Sequence, residues 1–345
     1  FRSFSPYWYM LDSYDPYTGE YHTRRLNDDG TDYLTYSEGG KNVHNTLYSE
    51  SRLNYAREFD RSELTGLLVF TAYELRKANA GSLQLSLPSR NAGISGRFTY
   101  GWDKKYFAEF NFGYNGSERF YKTHRWGFFP SFGGAWVISK ESWFKPLTKI
   151  VNNLKLRASY GLVGNDKIGN ESNRFYYLSE MDMTSKGHSA FFGEVRSNNI
   201  KGIDVVRYAN KEITWETSYK TNYAVELGLF NKVNVIAEYF TEKRTNIFMS
   251  RADVPETMGL QAGISANIGA ASSHGFDIQA DYQQVWNKDF WTSARANFTY
   301  STGVYDIYEE PQYKESYRQH AGKSVRQVWG YIAERLFIDD EEAAN

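Results

Sequence analysis

The chain has 345 residues, with 40 Lys and Arg against 41 Asp and Glu, and its net charge of −1 excludes a global electrostatic pull toward nucleic acid or anionic lipid. It contains no cysteine, which excludes a disulfide framework, thiolate metal sites and a cysteine nucleophile. Aromatic residues reach 17%, a composition that favours strands, while a mean hydropathy of −0.63 and the lack of any apolar run near ~18 residues exclude a helical membrane protein.

Residues 1–45 are rich in Tyr, Asp and Gly and carry no long strand. The opening FRSFSPYWYM has neither the basic region nor the apolar core of a signal peptide, and the chain starts and stops in mid-pattern, so it reads as a piece of a longer protein. Tyr7, Trp8 and Tyr9 have no evident strand to pack on, and flat aromatic faces stack on sugar rings or pack on apolar peptide side chains. Closing the loops against one another is the structural alternative. LNDDGTDY (26–33) sets Asp28, Asp29 and Asp32 around Gly30, loosely like a calcium loop. It lacks the twelve-residue ligand pattern and closing glutamate of such a loop, so an acidic turn is preferred and no cofactor is expected.

Ten strands are predicted at 46–59, 65–77, 93–102, 106–115, 128–138, 153–162, 219–230, 233–243, 275–286 and 290–302. Soluble strands usually run ~5–6 residues, whereas a tilted membrane strand needs ~9–11, and most of these meet the longer figure. Alternation is clean in several. Leu154, Leu156, Ala158 and Tyr160 oppose Lys155, Arg157 and Ser159, and Phe276, Ile278, Ala280 and Tyr282 oppose Asp277, Gln279, Asp281 and Gln283. A soluble sandwich shows the same period.

The connections separate the two architectures. Short ones at 60–64, 103–105, 231–232 and 287–289 alternate with long ones at 78–92, 116–127, 163–218, 244–274 and beyond 303. Segment 139–152 joins the short side, with SKESWFKPLTK predicted as a brief helix capped by Ser139. An up-and-down meander puts all short turns at one end, as in outer-membrane barrels, and a Greek-key sandwich has no reason to do so. The fold expected is therefore all-β, a transmembrane antiparallel up-and-down barrel with short periplasmic turns and long extracellular loops. Residues 1–45 are expected to be extracellular loop, 46–302 barrel strands and loops, and 303–345 a further loop with the start of another strand. Trp102, Tyr106, Trp286 and Trp291 flank short turns and are expected at the membrane interface, while Trp126 falls in the long loop 116–127 and joins the candidate substrate contacts.

LKLRASYGLVGND (154–166) resembles a hallmark of the SusC/RagA-type TonB-dependent transporters. FPSFGGAWVISKESWF (129–144), EITWETSYKTNYAVELGLFNKVNVIAEYFTEKRTNIF (212–248), HGFDIQADY and VWGYIAERLFID resemble further family segments in the family's order, over roughly 93–338. The resemblance implies part of a barrel of about 22 strands in the outer membrane of Bacteroidetes. It also implies import of a glycan or peptide, a SusD-like surface lipoprotein as lid, dimers of SusC–SusD pairs, and TonB acting through a plug domain and TonB box that this sequence does not contain. Loop aromatics favour glycan mildly. The alternatives are a non-transporting outer-membrane adhesin or scaffold, and a soluble β-sandwich lectin. No enzyme is expected. The six histidines are scattered without ligand spacing, GLVGND opens no phosphate-binding helix, and nothing fixes a catalytic constellation.

Overall fold

A computed structural model describes residues 2–36, 40–170, 173–333, 335–336, 338 and 340. Residues 1–45 with 76–88 form one compact unit, and 46–75 with 89–345 form a second.

In the first unit β1 (Arg2–Ser3) pairs with β4 (Thr35–Tyr36), and β2 (Tyr9–Asp15) pairs with β3 (Glu20–Arg25) as a hairpin. Gly19, at φ +76°, closes that hairpin. Strands here are short, as expected, but Tyr9 does open one. The long connection after residue 78 contains a single helical turn, α1 (Leu83–Ser86), whose Leu85 N–H donates to the Ser82 hydroxyl.

The ten predicted strands are all present and form one antiparallel sheet in sequence order. They are β5 (Val43–Phe59), β6 (Ser62–Ala78), β7 (Ser89–Trp102), β8 (Tyr106–Ser117), β9 (Trp126–Val137) and β10 (Val151–Asn165), then, after a separate hairpin, four more. That hairpin, β11 (Glu180–Phe192) with β12 (Asn198–Arg207), stands outside the main sheet. The sheet resumes with β13 (Glu216–Leu229), β14 (Val233–Ser250), β15 (Ser265–Val285) and β16 (Trp291–Ile307).

Several bounds need correction. Strands outgrow their predicted length at the long-loop end, up to 21 residues in β15, so the loops 116–127, 163–218 and 244–274 are shorter than expected. Trp126 is consequently the first residue of β9, paired with Gly116, and is not in a loop. Segment 138–147 is two 3-10 turns, Ile138–Lys140 and Ser142–Leu147, with no side-chain cap. Pro146 lacks the N–H that a regular helix needs there, and the cap position is taken by Glu141 instead of Ser139. After Ile307 no further strand forms among the described residues; the tail makes only isolated bridges to β16, at Ser324 and Ala321. Most of the acidic end FIDDEEAAN lies outside the described residues.

The register fixes two faces. One row across the sheet runs Thr65, Thr99, Glu109, Gly133, Ser159, Asn222, Phe240, Gly275, Ser301. The adjacent row on the other face runs Leu64, Tyr100, Ala108, Gly134, Ala158, Tyr223, Tyr239, Phe276, Tyr300. Because the side-chain period is two, nine strands agreeing on which residues share a face is a strict test of alternation. Leu154, Leu156, Ala158 and Tyr160 fall on the face of Phe276, Ile278, Ala280 and Tyr282, as the sequence pattern requires.

Among the described residues no second sheet covers that apolar face. Phe132, Tyr223 and Phe298 stay 55–58% exposed, so among the described residues the sheet presents a broad apolar surface and has no sandwich partner. The fully buried hydrophobic side chains lie elsewhere, at the long-loop end: Phe120, Ile168 and Ile213, packed by Tyr176, Trp215 and Phe248. GLVGND is explained by close packing at that end of β10. A Cβ on Gly161 would stand 2.4 Å from that of Ser131, and one on Gly164 would stand 2.0 Å from the Phe129 ring.

Candidate functional site

On the polar face, adjacent strands bring charges together that lie 69 and 81 residues apart in sequence. Arg157 Nε of β10 donates to Glu226 Oε1 of β13 at 2.8 Å, and its Nη2 reaches Glu238 of β14. Lys155 Nζ lies 3.3 Å from the same Glu226 oxygen, and Asn222 Nδ2 donates to Glu238 Oε2 at 2.9 Å. Glu238 faces Asp277 directly across the β14–β15 pair, a like-charge opposition that Arg157 offsets. The sequence pattern put Lys155 and Arg157 on one face; their acidic partners emerge only once the register is known.

At the short-turn end, Trp102 and Tyr106 pair across the turn with ring centroids 5.6 Å apart, and Tyr106 stacks on Trp136 at 6.2 Å. The Tyr106 hydroxyl donates to Glu141 Oε1 at 2.7 Å and the Trp136 indole to the same oxygen at 3.1 Å. These two bonds hold the Glu141 carboxyl below the usual carboxylate range. Trp286 and Trp291 flank the last short turn, exposed, with Trp286 Nε1 donating to Thr292. The sequence singles out four of these aromatics by their place beside the short turns; the bonds of Tyr106 and Trp136 to Glu141 emerge only in the structure.

In the first unit, Tyr7 packs over Gly30, where an added Cβ would meet its ring at 2.2 Å, and Arg25 lies 5.0 Å from its centroid. Tyr7 is thus packed on the Gly30 side and half-buried. Trp8 and Tyr9 are 64% and 59% exposed. Asp28 is bound by Arg25 at 2.9 Å, and among the described residues no group of three or more His, Asp or Glu is arranged to hold a metal ion. Trp126 stacks on Tyr114 at 5.0 Å on the apolar face, apart from Tyr7, Trp8 and Tyr9 in sequence and in element.

The long-loop end is tied by side-chain hydrogen bonds around the buried cluster. Ser117 Oγ donates to Asp166 at 2.7 Å, Arg119 to the Ile168 carbonyl at 3.1 Å, and Phe248 N–H to Glu216 at 3.1 Å. Asn267 and Thr214 exchange two bonds of 2.9 and 3.0 Å. Three histidines sit beside carboxylates, His124 by Glu212, His188 by Asp204 and His320 by Glu310.

A ten-stranded meander with one polar face, one uncovered apolar face and aromatics at its rims is the wall of an outer-membrane-type β-barrel. Residues 2–328 match the family described as "TonB dependent receptor-like, beta-barrel", and the chain belongs to that family, whose members are outer-membrane receptors and transporters. Its relatives include TonB-dependent receptor P39 of Formosa agariphila, 28% identical over 88% of this chain and 28% of that protein. TonB-dependent receptor SusC of Bacteroides thetaiotaomicron is 26% identical over 63% of this chain and 21% of its own length. Among solved structures, the RagAB peptide transporter superposes with a TM-score of 0.58 at 20% identity, over 76% of this chain and 30% of that one. The chain thus spans less than a third of each of these three proteins.

Proposed function

We propose that these residues form ten strands of the wall of a TonB-dependent importer of an oligomeric nutrient. The protein binds its cargo at the long-loop end and passes it through the lumen by gated translocation, with no covalent chemistry. On this reading the polar face lines the lumen, the apolar face meets lipid, the short turns are periplasmic and the long loops extracellular. The observation that carries it is the two-faced register: charged rows on one side, an uncovered aromatic surface on the other.

Trp102, Tyr106, Trp286 and Trp291 then belong to the periplasmic interface, and Trp126 with Tyr114 to the opposite one, so Trp126 leaves the candidate cargo contacts. Trp8 and Tyr9, on their exposure, and the half-buried Tyr7 beside them remain candidates. The cargo is a glycan or a peptide; exposed aromatics support the first and likeness to a peptide transporter the second. A SusD-like lipoprotein over the long-loop end, assembly as a dimer of such pairs, and energy from TonB through a plug complete the proposed machine.

Uptake by cells carrying the receptor tests this, with fluorescent oligosaccharides and oligopeptides as probes. Uptake of one class that stops when TonB is removed is the expected result. Surface binding with no uptake, indifferent to TonB, identifies an adhesin or scaffold instead.

A further inference from the structure

The polar face is open over β9. The residues that β9 turns to this face there are Ser131, Gly133 and Ala135, none longer than a hydroxymethyl group. The larger side chains on both flanks lean away from it. On β8, Glu109 accepts from Arg97 of β7 at 2.7 Å, and the Phe107 ring lies over Gly101 of β7. On β10, Lys155 and Arg157 reach across to Glu226 and Glu238, on the side away from β9. Rows on one face repeat about every 6.6 Å and strands lie ~4.8 Å apart, so the furrow is about 13 Å long and about 10 Å wide. Its volume is about 510 Å³.

The sheet itself does not call for glycine in this floor. A Cβ added at Gly133 would meet nothing nearer than 3.8 Å, whereas at Gly161 and Gly164 it would collide with Ser131 and Phe129. Glycine weakens a strand, and where the sheet leaves room for a side chain it marks the close approach of another backbone or a ligand. The charges beside the furrow are already paired with one another, so a charged occupant gains no partner. The Ser131 and Ser159 hydroxyls along it can bond the N–H and C=O groups of a neutral chain, and 13 Å admits about four extended residues. The furrow is shut toward the long loops. There the Phe129 ring lies across Gly127 and Gly164, and Trp215 stands edge-on to it at 5.3 Å and packs on Phe120 at 5.2 Å. Access is thus from the lumen side and not directly from outside, which favours a resident segment over captured cargo. Each of the three proteins compared above is more than three times as long as the part matched here, so such a receptor has chain to supply one.

We propose that the β9 furrow seats an extended, uncharged segment of this same receptor from outside residues 1–345, its backbone laid over Gly133 between β8 and β10. This rests on the reading of the polar face as lumen-lining. The bare floor of β9 then serves the seated backbone, and the outward-leaning charges of β8 and β10 keep the seat clear.

The test is photo-crosslinking in the complete receptor, with p-benzoylphenylalanine in place of Ser159 on the flank of the furrow and mass spectrometry of the digest. Illumination should join this position to one receptor segment outside residues 1–345. Gly133→Phe, which fills the floor, should lower the yield of that product at least several-fold, while Ser301→Phe on the same face outside the furrow should leave it unchanged. Ala135→Leu fills the next row and replaces Gly133→Phe if that variant does not assemble. Products confined to residues 1–345, or a yield indifferent to both fillings, would overturn the seat. Cross-linking to an added oligopeptide or oligosaccharide would make the furrow a cargo site and overturn it equally. A fluorophore on Ser159→Cys that is quenched by brominated lipid chains is a different outcome: it puts this face in the bilayer and sinks the assignment of faces itself.

Discussion

Arg157 shows what a single residue contributes to this wall. It bridges Glu226 and Glu238 on neighbouring strands, with about a third of its side chain exposed. Removing it leaves Glu238 opposite Asp277 without its cation. Stranding a buried partner costs roughly 3–5 kcal/mol, and partial exposure discounts that, so Arg157→Met should cost about 1–3 kcal/mol. The measurement is the temperature at which the folded barrel unfolds on semi-native gels. Adding Glu238→Gln to that variant should restore more than half of the loss, because the stranded charge goes with it. No recovery would show that Arg157 acts through packing alone. Glu141 gives a second residue-scale expectation. Hydrogen bonds from Tyr106 and Trp136 lower its folded pKa below the unfolded value, so its stabilisation is present above the unfolded carboxylate range and is lost as pH falls through the folded pKa. Barrel stability should therefore fall from about pH 5 downward, and Glu141→Gln should flatten that part of the profile. An unchanged slope in the variant would remove Glu141 from the account.

Among the elements, β15 puts the assignment of faces most sharply to the test. Ala280 lies on the apolar face opposite Ala296, and Gln279 on the polar face opposite Asn297. Ala280→Arg drives a charge toward lipid and should cost roughly 2–4 kcal/mol near the bilayer centre. Gln279→Arg places the same charge between Asp277 and Asp281 on the polar face and should be tolerated. Equal tolerance in a folding assay in lipid vesicles would contradict the phase. Period two made this legible from sequence, as it did all ten strands and the short-long order of their connections. What stayed hidden has several causes. The extension of β9, which moved Trp126 out of its loop, and the longer one of β15 rise beyond the length a bilayer demands and carry no alternation that marks their end. The cluster of Phe120, Ile168 and Ile213 joins three separate connections, so no periodicity announces it. The pairing of Arg157 with Glu226 and Glu238 needed the register. Ser139 misled as a cap because Pro146 prevents the helix that would have used it.

At the scale of the whole molecule, the two outer strands decide what the chain does on its own. β5 and β16, 17 residues each, have a single neighbour in the sheet and are not paired to one another among the described residues. Each therefore presents a row of backbone N–H and C=O groups along one edge, except at Gly303 and Tyr305 of β16, which the tail bonds. Water satisfies such groups on a soluble protein, but hydrocarbon does not, and each unsatisfied group costs several kcal/mol there. Summed over two edges, that exceeds the ~5–15 kcal/mol by which folded proteins are usually stable. Ten strands are also enough for a small closed barrel, which bacterial outer membranes do contain, so closure of β5 on β16 is a real alternative outcome. Residues 1–345 expressed alone with an outer-membrane signal should accordingly fail to insert as a protease-resistant monomer and should collect as oligomers or aggregates. Co-expression with the remainder of a receptor wall that offers partner strands should rescue insertion. A heat-modifiable monomer of residues 1–345, with β5 and β16 joined by disulfide between cysteines placed on them, would show instead that this sheet closes on itself.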